Sequence, residues 1–363
     1  MPLHRRNRTI IHESCTATYF GTAIIMFCFR RKLTVVIIII LISYCFYFSL
    51  LFTRVQSNNK IELIFEQQDN IENERGNSIV TSKIFSLPSS YNDLVKMNVD
   101  INIPTNLNVV MMGDSITRYQ YISLAYFLSH GQWWQNGTTP NLLWEKSVPS
   151  WVDYYNYTNA VLQPFEKCDC YREEPLKQNL NLAVENRYFY DHVRNNRIIY
   201  LQKFGIFPFQ SSWNVNQVPD NSKLIRNSTQ LNINVKIKTW SKIISNFVCK
   251  MEPKPDIFIF NQGLWQPTGI DDPNIQLDIV KSLQLCGIKS MYKSTTIHWG
   301  ENRTEMKEYE KQLCNLTDYC HDMTWTQFCP ENVYWDNYHF LPIGNTWMNV
   351  LLLEHLSSLN KQP

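Results

Sequence analysis

Three short stretches, far apart in the chain, hold residue types that together suit nucleophilic chemistry at a carbonyl. The first, Met112-Gly113-Asp114-Ser115-Ile116-Thr117-Arg118, places a serine directly after an apolar run. A serine there, at the first turn of a helix, stands at an open sheet edge, with its backbone N–H directed at the oxygen of whatever it attacks. Asp114 and Ser115 are equally the residue types of a helix N-cap, a purely structural role. The second stretch is Trp335-Asp336-Asn337-Tyr338-His339-Phe340. Asp and His three apart on a turn can serve one nucleophile. The imidazole takes the serine proton, and the carboxylate fixes the tautomer and stabilises the imidazolium. The plain alternative is an Asp336 that caps a turn beside a core histidine. The third is Phe260-Asn261-Gln262-Gly263-Leu264-Trp265. Its amide side chain can hold an oxyanion beside the Ser115 N–H, and Gly263 lets the backbone approach closely. Taken alone, Asn-x-Gly is a turn signal.

The elements around these stretches predict an α/β layered fold. Asn108–Met112 is a short buried strand, and Ile116–Ser129 follows it with apolar residues at helical spacing. Strands are expected at 197–201, 255–260 and 290–297. Helices are expected at 239–249, 275–286 and 345–359, with the end of another at 309–314. Alternating strands and helices imply a mostly parallel sheet covered on both faces, whose site lies beyond the carboxyl ends of the strands. All three stretches fall at that edge or in the loop before the last helix.

Ahead of this domain the chain changes character. Residues 33–52 contain no charge, and at about 1.5 Å per residue they span roughly the 30 Å hydrocarbon core of a bilayer. Arg30, Arg31 and Lys32 precede the run, so the positive-inside rule puts residues 1–32 in the cytosol and the rest on the far side. A cleaved signal peptide is the alternative, and Leu50–Arg54 offers a poor cleavage site. The expected organisation is a cytosolic tail (1–32), a transmembrane signal anchor (33–53), a polar stem (54–94) and one domain (95–363). Asn136, Asn156, Asn227, Asn302 and Asn315 head glycosylation sequons. Seven cysteines follow the anchor (Cys168, Cys170, Cys249, Cys286, Cys314, Cys320, Cys329) and would meet an oxidising compartment. Their number is odd and their pairing open. No ligand set for a metal stands out, and disulfides account better for Cys314, Cys320 and Cys329. The whole chain has a formal net charge of +2, which signals no attraction to nucleic acid. That figure divides at the membrane, with the basic excess before residue 33 and a mildly acidic remainder.

Gly-Asp-Ser early, Asn-x-Gly after a later strand and Asp-x-x-His near the end resemble the SGNH-type hydrolase superfamily. The closer likeness is to its PC-esterase and trichome-birefringence-like branch. It is carried by Gly113–Gln120, Phe260–Trp265, Asp336–Pro342 with Thr346-Trp347, and Tyr155–Thr158 followed by Pro164-Phe165. The resemblance implies a flavodoxin-like three-layer α/β/α fold and a Ser115–His339–Asp336 triad. It also implies transfer of an acyl group, expected to be acetyl, to a glycan hydroxyl through an acyl-serine, in a Golgi or other secretory-pathway membrane. An O-acetyl esterase would use the same triad, and a non-catalytic glycan-binding protein is a third reading. No bound cofactor is expected; an acetyl donor such as acetyl-CoA or an acetylated intermediate is. Gly113, Asp114 and Arg118 would shape the site, with Arg118 orienting a donor or Asp114 or else forming a salt bridge. Trp265 and Trp335 are the expected sugar platforms, while Trp133, Trp134 and Trp299 are weaker candidates. The stem lacks the cysteine-bearing block of the plant proteins, and the chain lacks the multi-pass region of the sialic-acid O-acetyltransferase. Acceptor and donor therefore stay open, as does one oxyanion donor.

Overall fold

In the computed structural model, the chain divides into two compact units, Met1–Glu62 and Leu63–Pro363. The described residues (101, 103–134, 150–162, 164–172, 183–213, 223–225, 233–265, 270–303 and 305–359) all belong to the second. The expected tail, anchor and stem therefore lie outside the described residues, as do Asn136 and Asn227. Among the described residues, no helix is long and apolar enough to cross a membrane.

The first strand, β1 (Asn108–Gly113), is buried along its whole length and leads directly into α1 (Ser115–His130). Then come α2 (Trp151–Leu162), β2 (Glu166–Arg172), β3 (Ala183–Asp191), β4 (Asn196–Gln202), β5 (Phe209–Ser211), β6 (Lys223–Ile225) and β7 (Val235–Ile237). The remainder is α3 (Trp240–Asn246), β8 (Ile257–Phe260), α4 (Pro273–Cys286), β9 (Lys289–Lys293), α5 (Glu308–Leu316), β10 (Tyr319–His321) and α6 (Pro342–Leu359). The main sheet has the order β10-β9-β8-β1-β4-β3-β2-β6, and β5 pairs with β7 apart from it. Strands β4, β1, β8, β9 and β10 are mutually parallel neighbours. Taken alone, they follow the 2-1-3-4-5 order of doubly wound sheets. Only β3 runs against the rest, pairing antiparallel with β2 and β4.

Period-two alternation sends successive residues of β1 to opposite faces. Val109 and Met111 join the core formed with α1, α2 and α6, whereas Val110 and Met112 join the one formed with α3, α4 and α5. The fold is thus a three-layer α/β arrangement. Helix limits follow local chemistry. Asp114 caps α1 through Ile116 N–H, and Gly131, at φ 70°, ends it. Asp272 and Pro273 start α4, and Gly287 stops it.

Several expected boundaries are corrected. The strand expected over 290–297 ends at Lys293, and the helix expected over 239–249 ends at Asn246, with a 3-10 turn after it. The last helix begins at Pro342 instead of 345. Pro342 fits the first turn because its missing N–H would have had no helical partner there.

Candidate active site

The chain leaves β1 toward β4 on one side and returns to β8 on the other. In doubly wound sheets such a reversal marks where a crevice opens beyond the carboxyl ends of the strands, here β1 and β8. Asp114-Ser115 leaves the end of β1 and Asn261-Gln262-Gly263 leaves the end of β8, so two of the three stretches meet there. Asn261 N–H donates to Met112 O at 3.0 Å, joining them directly. The third stretch arrives on the turn before α6. Ser115 Oγ lies 2.8 Å from His339 Nε2, across 224 residues of sequence. His339 Nδ1 lies 2.9 Å from Asp336 Oδ2, and Asp336 Oδ1 accepts the backbone N–H groups of Tyr338 (2.8 Å) and His339 (2.7 Å). Partial burial pushes the Asp336 carboxyl up, but these hydrogen bonds and the imidazole outweigh it and hold it at about 2. Asp336 is therefore an anion near neutral pH and receives the Nδ1 proton, which leaves Nε2 free to accept from Ser115. Ser115 is partly exposed, so a substrate can reach it.

Two glycines permit this approach. Gly263 has φ +64°, and a Cβ built on it would overlap the Asp114 carboxylate. A Cβ on Gly113 would come within 2.9 Å of Thr117 Cβ. Asp114, buried, accepts from Ile116 N–H at 3.0 Å and from Leu264 N–H at 3.3 Å, so one carboxylate fixes both the start of α1 and the Asn-x-Gly loop.

Other expectations are revised. Asn261 Nδ2 donates to Lys293 O at 2.7 Å, so the strand beside it engages the expected oxyanion donor, which retains a second N–H. Arg118 takes up the salt-bridge alternative instead of orienting a donor or Asp114. It is buried and pairs with Glu185 at 3.2 Å, within a network in which Arg187 bridges Glu185 (2.8 Å) and Glu166 (3.1 Å). Trp265 packs on Phe204 with ring centres 5.0 Å apart. Trp335 stacks on His339 itself, at 5.0 Å and 24°. Trp133 and Trp134 are buried, and Trp299 is exposed. His298 lies against Tyr338 and Glu301. The sequon residues Asn156, Asn302 and Asn315 are exposed. Cysteine pairs form at Cys168–Cys170, Cys249–Cys286 and Cys314–Cys320, and Cys329 is free and buried.

Sequence reasoning missed Lys293 and Tyr119. Lys293, at the end of β9, is buried and donates to Gln120 Oε1 at 2.9 Å. Burial pulls its ammonium down to about 8 despite the nearby Asp114 charge. The Tyr119 ring meets His339 edge-on at 5.5 Å. Only the position of Tyr119, one helical turn after Ser115, was a signal for it.

No family model matches the chain. No curated protein matches it either. Among solved structures, a Bacteroides fragilis protein described as a "putative acylhydrolase" aligns over 74% of this chain and 97% of its own, at 12% identity and a TM-score of 0.29. At that TM-score the likeness carries no argument for this chain, and function is argued from the geometry of Ser115, His339 and Asp336.

Proposed function

We propose that the protein is a serine-dependent acyltransferase that passes an acyl group, expected to be acetyl, from a donor ester or thioester to a glycan hydroxyl. The observation that carries this reading is the continuous Ser115–His339–Asp336 hydrogen-bond chain, at 2.8 and 2.9 Å. In the first step His339 Nε2 takes the Ser115 proton as Oγ bonds to the acyl carbon. The oxyanion faces the Ser115 N–H and the remaining Asn261 N–H, and its collapse expels the donor's leaving group, which takes the proton from His339. In the second step the acceptor hydroxyl gives its proton to His339 as it attacks the acyl carbon, and His339 returns that proton to Ser115 Oγ as the acyl–serine bond breaks. Water in place of the acceptor would make the protein an O-acetyl esterase on the same machinery.

The compartment is part of the proposal: a type II membrane protein anchored through 33–53, with its active domain in the Golgi or another secretory lumen. The three cysteine pairs support an oxidising surrounding.

The test is Ser115 labelling of the full chain by a fluorophosphonate, alongside hydrolysis of an acetylated chromogenic ester. Labelling and turnover are expected in the parent and in neither Ser115→Ala nor His339→Ala. Labelling that survives Ser115→Ala refutes the site. A donor consumed no faster when oligosaccharide is added, with no acetyl on the sugar, replaces the transferase by the esterase.

A further inference from the structure

We propose that Trp335 is a positioning residue for His339: its ring face holds the imidazole between Ser115 and Asp336 and stabilises the imidazolium formed during acyl transfer. The inference rests on the acyl-transfer reading above. Its basis is how fully the imidazole is surrounded. The two ring nitrogens are held in the ring plane, Nδ1 by Asp336 and Nε2 by Ser115. One face lies against the Trp335 indole, with centroids 5.0 Å apart and planes 24° apart, and the Tyr119 ring closes in edge-on at 87°. Trp335 is itself fixed. Its backbone N–H donates to His339 O at 3.0 Å, closing the turn, and its side chain packs on the core beneath α1 and α6. Of the groups facing His339, Ser115 and Tyr119 come from α1 and Trp335 and Asp336 from its own turn; Asp336 carries the only charge among them.

When the Ser115 O–H bond breaks, its proton moves to Nε2 and the ring gains one positive charge. Asp336 keeps its negative charge and accepts the Nδ1 proton as a hydrogen bond, while the electron-rich indole face lies directly against the cation. The charge leaves the ring when the proton passes to the departing oxygen or sulfur. A sugar ring cannot use the indole face already occupied by His339, so the platform role expected of Trp335 does not describe that face.

The experiment compares full-length parent, Trp335→Leu and Trp335→Phe. It uses the pH dependence of Ser115 labelling by a fluorophosphonate and, separately, the pH midpoint of the His339 ring signals in the NMR spectrum of histidine-labelled protein. Labelling needs the neutral imidazole, so its rate rises with pH along an acid limb. Removing a group that favours the cation moves that limb toward lower pH. For Trp335→Leu the shift is expected to be about half a pH unit, with a roughly three-fold lower plateau. Trp335→Phe, which keeps a π face, is expected to recover most of both. An unmoved acid limb in Trp335→Leu, with the loss confined to KM for an acyl acceptor, overturns the proposal and returns Trp335 to substrate binding. Equal shifts in the Leu and Phe variants overturn it in favour of packing alone. A parent that is not labelled at Ser115 refutes the acyl-transfer reading instead, and the NMR midpoints still report whether the indole favours the cation.

Discussion

Replacing Gly263 by alanine is expected to damage the site through Asp114. At φ +64° a Cβ costs about 1 kcal/mol in the backbone alone. The same Cβ would overlap the Asp114 carboxylate, which is buried and cannot swing into solvent. Displacing that carboxylate forfeits the cap on Ile116 N–H, worth about 1 kcal/mol, and a charged hydrogen bond from Leu264 N–H, worth about 1.5 kcal/mol. Gly263→Ala should then destabilise by about 3.5 kcal/mol, the backbone and carboxylate contributions together. Asp114→Ala loses the two hydrogen bonds directly, about 2.5 kcal/mol, and empties the space that the new Cβ would enter. In the double variant only the backbone cost remains to be added, so the total is about 3.5 rather than about 6 kcal/mol. The coupling of about 2.5 kcal/mol can be measured by chemical unfolding of the parent, both single variants and the double variant, followed by tryptophan fluorescence at one pH. Effects that add to within about 0.5 kcal/mol would refute the contact between Gly263 and Asp114 as the reason for glycine.

Three further outcomes follow from the same geometry. Asp336→Asn turns the Nδ1 acceptor into a donor, which favours the tautomer with a proton on Nε2, so Ser115 labelling should slow about 10³- to 10⁴-fold with little change in unfolding midpoint; a loss under ten-fold would contradict the role of Asp336. Glu185→Gln leaves Arg118 and Arg187 without the carboxylate they share, and unfolding measurements should show a loss of about 3–5 kcal/mol, whereas a loss below 1 kcal/mol would mean that water reaches the network. Burial lowers Lys203 and Lys293 to about 8, so between pH 8 and 10 the folded chain has released protons that the unfolded chain still binds. Stability should therefore rise with pH across that window relative to Lys203→Met and Lys293→Met, by about 2 kcal/mol for each lysine, and parallel pH curves for parent and variants would refute it.

The residues that meet at the candidate site were more legible in the sequence than the sheet was. Strands β1, β4 and β8 were legible because their central buried residues are apolar on both faces, and the turns after β1 and β8 carry Asp and Gly. Strands β2 and β3 were not, since their buried positions include Glu166, Asp169, Glu185, Asn186 and Arg187. Such residues read as solvent-facing until Arg187 is seen between Glu166 and Glu185, a pairing that exists only once β2 and β3 have met. The same limit explains Arg118, whose partner lies 67 residues away. Residue type identified Asn261 as a donor, but the engagement of its amide with Lys293 O depends on β9 lying beside β8. The aromatic residues were the hardest to place. Trp265 and Trp335 flank the motifs in sequence, yet neither position shows whether a ring turns to solvent, to Phe204 or to His339.

The contact between Ser115 and His339 joins α1 to the turn before α6, and α1 is held from several sides. Its N-terminus is tied to the loop after β8 by Asp114, which receives Leu264 N–H. One flank is tied to β3 by Arg118 on Glu185 and Tyr121 to β2 by a 3.0 Å bond to Glu166. Toward α6, Gln120 O accepts Asn349 Nδ2 at 3.0 Å, while Gln120 Oε1 accepts Lys293 Nζ from the end of β9. Those links restrict rotation of α1 about its axis and sliding along it, the two motions that would carry Ser115 away from Nε2. Because α6 begins at Pro342, just after the His339 turn, the Asn349–Gln120 bond sets the register of His339 against that of Ser115. Displacements of 1 Å can cost about 10²-fold in rate, so a helix fixed by buried ions and amides is suited to hold a reacting serine in place.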